Sequence, residues 1–144
     1  MFQKNIDDRL SSWAYMRARL ENSEHPFDDV WNFWKPAPFV PYNNRVDPYY
    51  QQSWPTPWEI IVENKYDDFT KALMIGWSLK LTNRFKDSNI EIRTIVDSTK
   101  TSVYNICCVN EDLVINFSDN GPIPAINVPD YFLVENLVEL KTPR

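Results

Sequence analysis

Apolar residues recur at helical spacing in the first part of the chain. Between residues 3 and 20 they line one face of a predicted amphipathic helix, formed by Ile6, Leu10, Trp13, Arg17 and Leu20. Arg17 alone interrupts the apolar stripe. A shorter helix is predicted from Pro26, a favourable first helical residue, to Trp34, because Pro36 follows closely.

The middle of the chain contains the most apolar helical pattern. Thr56-Pro57-Trp58-Glu59 predicts a capping box and a short helix to about Glu63, because the Thr and Glu side chains can each bind the other residue's backbone N–H. A longer helix is predicted from about Asp67 to Phe85. It is apolar over most of its circumference, which indicates a central position. Gly76 in its interior indicates close approach of another backbone.

The C-terminal half follows the period of two that is typical of strands. Residues 90–96, 103–109 and 113–117 form three such runs with short polar connections, which predict an antiparallel meander. Residues 120–124 are predicted to be irregular. Residues 131–140 fit a helix and a strand equally well, and the pattern does not decide between them.

Residues 35–55, called the arm below, follow neither period. Five prolines in the arm favour an extended path. Its large aromatic side chains are unsuited to open solvent, so the arm either wraps the protein's own core or lies on a partner. Because Trp and Tyr dominate interface hot spots, the predicted partner-binding residues are Phe39, Tyr42, Tyr49, Tyr50, Trp54 and Trp58.

Together these patterns predict a single α+β domain covering residues 1–144. N-terminal helices occupy residues 1–34 and are followed by the extended Pro- and aromatic-rich arm. Residues 56–144 form an α+β core in which the central buried helix packs on the antiparallel sheet. With 43% hydrophobic and 24% charged residues, the chain is expected to fold.

Charge and composition exclude some classes of function. The net charge of −5 and the lack of a basic stripe argue against binding to nucleic acids or to anionic membranes. Without an apolar signal segment or membrane span, the protein is expected to be soluble and made in a reducing compartment. Because the chain has only two glycines, Asn is expected at turns and helix ends, namely at Asn22, Asn83, Asn89, Asn110 and Asn120.

Few residues could support catalysis or metal binding. His25, Cys107 and Cys108 are too few for a structural zinc site. The two adjacent Cys residues should point to opposite faces of a strand, as buried thiols without thiol chemistry. The Asp-Asp pairs at 7–8, 28–29 and 67–68 lie in the first turn of predicted helices. Carboxylates are favoured there because they accept from free N–H groups and interact favourably with the positive end of the helix macrodipole. We therefore predict no catalytic residue, no metal and no cofactor.

The central segment resembles the transglutaminase-like, papain-related superfamily over about residues 56–120. The resemblance rests on Thr56-Pro57-Trp58-Glu59 and on Asn64-Lys65-Tyr66-Asp67-Asp68-Phe69 at the start of a buried helix, followed by an antiparallel meander. That family has a Cys near the start of the helix, and a His and an Asp on two later strands. The matching positions here are Tyr66 or Asp67, Tyr104 or Asn105, and Asn116 or Asp119. The resemblance therefore implies an inactive relative without the nucleophile and the base.

The chain also resembles small proteins encoded by T-even-like phages of marine cyanobacteria, most clearly from Trp54 to Phe69. This resemblance implies a virus-encoded protein in the virion or the host cytoplasm, not secreted by a signal peptide. We expect a non-catalytic structural or protein-interaction protein, a virion component that binds copies of itself or other virion proteins. The alternative is a degenerate transglutaminase-like hydrolase or transferase that works through Glu59, Asp67 or Asp68.

Overall fold

A computed structural model describes residues 1–99 and 101–141. The helices are α1 (Ile6–Leu20), α2 (Pro26–Trp34), α3 (Pro57–Glu63) and α4 (Asp68–Lys80). The strands are β1 (Ile90–Asp97), β2 (Ser102–Val109), β3 (Leu113–Ser118), β4 (Gly121–Pro124) and β5 (Phe132–Glu139). They form one antiparallel sheet in the order β4-β3-β2-β1-β5 with helices packed on it, so the predicted α+β class is confirmed. No helix in the described part of the chain has the length and apolar content needed to cross a bilayer.

Helix α4 is the centre of the fold, as its apolar circumference predicts. Asp67 caps its N-terminus by accepting from the Thr70 backbone N–H at 2.8 Å. Apart from Asp68 and Lys71, every residue of the helix is buried. The helix packs on β1 and β2 and also on α1 and α2, so it joins the N-terminal helices to the sheet in one core.

Three helices meet at the hydroxyl group of Ser78 on α4. The indole Nε1 atoms of Trp13 on α1 and Trp34 on α2 each donate to Ser78 Oγ at 2.9 Å. Ser78 in turn donates to the Met74 carbonyl at 2.6 Å, and all four side chains are buried. The Arg17 guanidinium lies 4.1 Å from the centre of the Trp13 ring, so it covers that ring rather than breaking the apolar face of α1.

The starts of α1 and α3 follow their capping residues. Helix α1 begins at Ile6, later than the predicted residue 3, because the Asn5 side chain accepts from the Asp8 backbone N–H at 2.9 Å and fixes the first turn there. Helices α2 and α3 have the predicted bounds. At α3, the two hydrogen bonds of the capping box between Thr56 and Glu59 measure 3.1 and 3.2 Å, as the sequence predicts.

Helix α4 ends earlier than its sequence pattern predicts. The helix ends at Lys80 and not at Phe85. The carboxylate of Glu21 accepts from the backbone N–H groups of Asn83 and Arg84, each at 2.9 Å. These N–H groups would otherwise bond to carbonyls within the helix, so an acceptor from distant sequence stops it.

Gly76 makes room for side chains, and not for another backbone as predicted. A Cβ atom at this position would lie 2.7 Å from Leu140 Cδ1 and 3.0 Å from Ile92 Cδ1. Both side chains are buried. The glycine therefore lets the side chains of Ile92 on β1 and of Leu140, just after β5, pack directly against the helix backbone.

In the C-terminal part of the chain, one prediction is wrong and one open choice is decided. Residues 121–124, predicted to be irregular, form β4, and residues 132–139 form β5, which decides the open choice in favour of a strand. Strand β4 lies at one edge of the sheet and contains Pro122 and Pro124, which have no backbone N–H. Strand β5 lies at the other edge and pairs with β1.

Four of the five Asn residues predicted at turns or helix ends lie in turns, but most of them lack the positive φ for which Asn is favoured. Asn22, Asn83, Asn110 and Asn120 are in turns, but of these only Asn110 has a positive φ, 52°. Asn89 lies outside a turn and also has no positive φ. Positive φ is also found at two Asn residues that were not predicted, Asn64 at the end of α3 and Asn116 within β3, and at Thr101 and Glu111.

Cys107 and Cys108 point to opposite faces of β2, as predicted. Cys107 belongs to the main core with the α4 residues, while Cys108 packs with Ile95 and Ile106 on the other face of the sheet. Burial raises the pKa of both thiols, that of Cys108 to about 11. At neutral pH both are therefore protonated, and the thiolate is the reactive form.

We expect neither cysteine to be alkylated at neutral pH while the protein is folded. The measurement is the mass of the protein after treatment with iodoacetamide, with a sample unfolded in guanidinium chloride as the control. The unfolded sample should gain two adducts and the folded sample none. Alkylation of the folded protein as fast as that of a free thiol would contradict the assignment of both residues to the core.

Candidate functional site

A polar row crosses the sheet at the N-terminal end of α4. Thr94 on β1 pairs with Asn105 on β2 and with Asn136 on β5, so three polar side chains lie beside one another. Thr94 Oγ1 donates to Asn105 Oδ1 at 2.7 Å. We call these three residues the inner row. They border the main core at the point where α4 begins.

Asp68, the first residue of α4, is held by donors from two strands. Asn105 donates its backbone N–H and its side-chain amide to Asp68 Oδ2 at 2.9 and 3.1 Å. Asn116 on β3 donates its side-chain amide to Asp68 Oδ1 at 3.1 Å and to the Asn105 carbonyl at 2.9 Å. The prediction that Asp68 only stabilises a helix end therefore missed its main contacts. The signal in the sequence is the Asn within each of two apolar strands.

The neighbouring Asp67 joins the arm to α4. Its Oδ1 accepts from the backbone N–H and the hydroxyl of Thr70 at 2.8 and 2.6 Å, which confirms its predicted capping role. Its Oδ2 accepts from the backbone N–H of Asn43 in the arm at 3.0 Å. Each carboxylate of the Asp67-Asp68 pair thus accepts three hydrogen bonds from the protein.

The arm is fastened to the core along its length. Val40 donates its backbone N–H to the Tyr66 carbonyl at 3.0 Å, and the Tyr66 N–H donates to the Pro38 carbonyl at 3.3 Å. Val46 is buried in the main core. Near the end of the arm, the Asn136 side chain of the inner row donates to the Pro48 carbonyl at 3.2 Å. The arm therefore wraps the protein's own core, one of the two predicted alternatives.

Five of the six predicted partner-binding residues are exposed, and four of these five lie on the anchored arm. Phe39 and Tyr42 are each 70% exposed, Tyr49 is 64% exposed and Tyr50 is 63% exposed. The arm thus buries Val46 and leaves these four rings exposed to solvent. Single exposed aromatic residues are ordinary, but four on one short, fastened segment are not.

The two predicted Trp residues have structural contacts. Trp54 is half-buried, packs edge-on against Phe69 with ring centres 5.6 Å apart, and donates its indole N–H to the Asp47 carbonyl. Trp58 on α3 is partly exposed and packs edge-on against Trp13 at 5.9 Å. Both rings therefore have partners within the protein, unlike the four exposed arm residues.

A cleft of about 220 Å³ lies between the arm and the inner row. The arm contributes Tyr42 and Tyr49, and the helix end contributes Asp67 and Asp68. Asn105 of the inner row also lines it. The cleft therefore combines exposed aromatic rings with carboxylates that are already hydrogen-bonded.

No protein-family model matches this chain, and no curated protein shows significant similarity to it. The resemblances described above therefore rest on the quoted residues alone.

The positions suggested by the transglutaminase-like resemblance are only partly brought together. Asn105 and Asn116 meet, but they meet at Asp68 and not at Asp67 or Tyr66. Tyr66 is buried against Phe2 and Trp34, and burial raises the pKa of its hydroxyl.

The two remaining positions of that resemblance lie away from this meeting point. Tyr104 packs with Phe117 and Phe132 on the opposite face of the sheet. Asp119 is exposed after the end of β3. Of the residues at the three matching positions, Asp67 and Asn105 line the cleft, and Asn116 is connected to it by its hydrogen bond to Asp68.

The chemical capacity of the cleft is limited by its hydrogen bonds. A general base needs a lone pair aimed at a substrate proton, whereas Asp67 and Asp68 already accept from the protein. Glu59 is used in its capping box, where hydrogen bonds from Thr56 lower the pKa of the Glu59 carboxyl. Within the described residues, no three His, Cys, Asp or Glu side chains are grouped so as to hold a metal ion.

The Asp68→Ala substitution is expected to lower the free energy of unfolding by about 1–3 kcal/mol, because it removes the acceptor of three N–H groups. Chemical denaturation monitored by tryptophan fluorescence measures the change. Asp7→Ala is the matched control, since Asp7 is an exposed carboxylate in the first turn of α1 and should contribute less than about 1 kcal/mol. Equal losses in the two variants would mean that Asp68 acts only through the helix end.

Proposed function

We propose that this protein is a non-catalytic protein-interaction protein, and that it binds a partner protein through the exposed aromatic residues of its arm. The single observation that supports this best is the exposure of Phe39, Tyr42, Tyr49 and Tyr50 on a segment whose backbone is fixed. A structural place in a phage particle is the setting that the sequence resemblance favours. The partners would then be copies of the chain or other subunits.

Anchoring of the arm supports binding at a low entropic cost. A flexible segment loses conformational freedom when it binds, and this loss offsets part of the contact energy. Here the Asn43 and Pro48 contacts hold the backbone before any partner arrives. Tyr side chains have few rotatable bonds and offer both an apolar ring and a hydroxyl, which suits them to interfaces.

The geometry of the cleft favours this function over carboxylate-based catalysis. Asp67 and Asp68 each accept three hydrogen bonds that hold α4, the arm and the strands in place. A group with this many fixed partners positions the fold and has little freedom to accept and release protons. The alternative of a degenerate hydrolase or transferase receives no comparable support.

Site-specific photocrosslinking tests the proposal. Tyr49 is replaced with p-benzoylphenylalanine, the chain is produced in its natural host or infected cell, and the crosslinked proteins are identified by mass spectrometry after irradiation. Tyr15 on α1 is the matched control, because it is also a tyrosine and is 69% exposed. The proposal expects a defined protein adduct from position 49 that does not form from position 15.

Two outcomes would contradict the proposed function. One is the absence of any protein adduct at position 49, and the other is the same set of adducts at positions 49 and 15. An adduct between two copies of the chain would identify the partner as the protein itself and would support the proposal.

A further inference from the structure

Strand β5 has one open edge. It is the last strand of the sheet and pairs with β1 on one side only. Within residues 1–99 and 101–141, no backbone hydrogen bond joins residues 133–139 to any segment other than β1. Unpaired N–H and C=O groups along an edge strand bind another extended chain, so the occupant that this edge fits is a strand.

The backbone groups of every second residue of β5 point away from the sheet. The Leu140 N–H donates to the Ile90 carbonyl at 2.9 Å, so the backbone of Leu140 faces β1. Because this direction alternates along a strand, the backbone of Val138 also faces β1, whereas that of Leu137 and Glu139 faces outward. These outward groups are available to a strand placed beside β5.

Strand β5 contains one extra residue, Glu135. Its neighbours Asn136 and Val134 pair with consecutive residues of β1, so Glu135 has no counterpart there and forms a β-bulge. Val134 and Leu137 pair with residues two apart on β1, so their side chains lie on the same face of the sheet and both backbones point outward. Without the bulge, residues 134 and 137 would lie on opposite faces.

The bulge selects what pairs with this edge. A regular strand that shares faces with β5 on one side of Glu135 is out of step on the other side, as β1 is. A second β5, placed antiparallel about a two-fold axis, carries the same bulge and stays in step on both sides when Val134 lies opposite Leu137 of the other copy. In that register each opposed pair shares a face, namely Phe132 with Glu139, Leu133 with Val138, and Val134 with Leu137.

This register also matches the chemistry of the side chains. Val134 is 52% and Leu137 is 45% exposed, and each covers the other across the two-fold axis. Because the axis repeats the pair, two such pairs form, and each exchanges two backbone hydrogen bonds. Glu139 lies opposite Phe132, and Glu135 lies opposite Asn136. No two carboxylates are directly opposed, although the chain as a whole is acidic.

The exposed part of the arm adjoins β5. The Asn136 side chain donates to the Pro48 carbonyl at 3.2 Å, and the next residue, Tyr49, is 64% exposed. A stable interface buries about 1,000 Å² or more in total, of which one pair of short strands supplies a part. The arm beside the strand adds apolar surface on the same side of the molecule.

Building on the proposed function, we propose that the partner is a second copy of this chain, and that the two copies join their β5 strands antiparallel about a two-fold axis. Val134 of each copy lies opposite Leu137 of the other. The two sheets then form one continuous sheet, and the arms lie beside the joined strands.

Sedimentation velocity over a range of concentrations tests this inference, because the unmodified protein should change from monomer to dimer. Val134→Lys and Leu137→Glu should each weaken the dimer about tenfold or more, since each change occurs twice in the interface. The double variant should regain most of the lost affinity, because each new Lys then lies opposite a new Glu of the other copy. Ile126→Lys is the matched control, since Ile126 is 90% exposed and lies outside β5, and it should dimerise normally.

Amide hydrogen exchange supplies a second measurement on the unmodified protein. The N–H groups of Val134 and Leu137 should exchange slowly at concentrations where the dimer forms, and quickly after dilution to the monomer. The Val138 N–H, which faces β1, should depend less on concentration.

Four outcomes would overturn the inference. They are a monomer at the highest soluble concentration, a dimer that both single variants leave intact, a double variant no stronger than either single one, and exchange at residues 134 and 137 that does not depend on concentration. If Tyr49 crosslinks to a different protein while the chain stays monomeric, this inference is wrong and the proposed function stands. A dimer that responds to the β5 variants as expected, without an adduct from Tyr49, would support the pairing of β5 and contradict only the binding role of the arm.

Discussion

The Ser78→Ala substitution is expected to lower the free energy of unfolding by about 2–6 kcal/mol, although it removes a single oxygen atom. The hydroxyl accepts from the indole N–H groups of Trp13 and Trp34, and both rings are fully buried. Without it, two donors lose their partner in a place that water does not reach. A buried donor without an acceptor costs about 1–3 kcal/mol, and here the cost applies twice.

Urea unfolding followed by circular dichroism measures this change, and Ser11→Ala provides the control. Ser11 is an exposed residue of α1, where alanine is at least as good a helix former as serine. The control should therefore be neutral or slightly stabilising. A loss below about 0.5 kcal/mol for Ser78→Ala would show that the indole groups find other acceptors and that the three-helix contact does not stabilise the fold.

The Leu73→Ala substitution is expected to cost about 2–5 kcal/mol, the range for truncation of a fully buried Leu. Leu73 has no exposed surface and lies in the part of α4 that is buried on all sides. The variant creates a cavity that the packed helix cannot easily close. The amide groups of α4 should also exchange slowly with solvent in the unmodified protein, since their opening requires the core to open.

The matched control for this prediction is Leu133→Ala on β5, where the side chain is largely exposed. It should change the free energy of unfolding by about 0.5 kcal/mol or less. If Leu73→Ala costs no more than Leu133→Ala, then α4 is not the centre of the core. Thermal unfolding of both variants under the same conditions gives the comparison.

The sequence predicts those parts of the fold that depend on local pattern. The capping box at Thr56 and the buried circumference of α4 follow from residues that are neighbours in the chain. The end of α4 could not be predicted in the same way, because the Glu21 carboxylate that stops it lies far away in sequence. Strand β4 was missed because two of its four residues are prolines, which usually indicate irregular backbone.

The candidate site was less predictable than the fold for a related reason. The aromatic residues of the arm can be recognised by type, and four of its five are exposed. The hydrogen bonds at the cleft cannot be recognised in this way, because Asp68 and Asn116 are far apart in sequence and are brought together by the folded sheet. A carboxylate is already favoured at the N-terminus of a helix, and this is a sufficient explanation for Asp68 in the sequence. The sequence around Asp68 therefore gives no sign of its contacts with the strands.

The prolines of β4 make the two edges of the sheet unequal. Pro122 and Pro124 deprive that edge of donors, so a foreign strand can form a continuous ladder only beside β5. Growth of a fibril requires every subunit to accept a neighbour on both sides. A molecule with one receptive edge would end such a chain after a single addition, so we expect the prolines of β4 to limit open-ended polymerisation through this sheet.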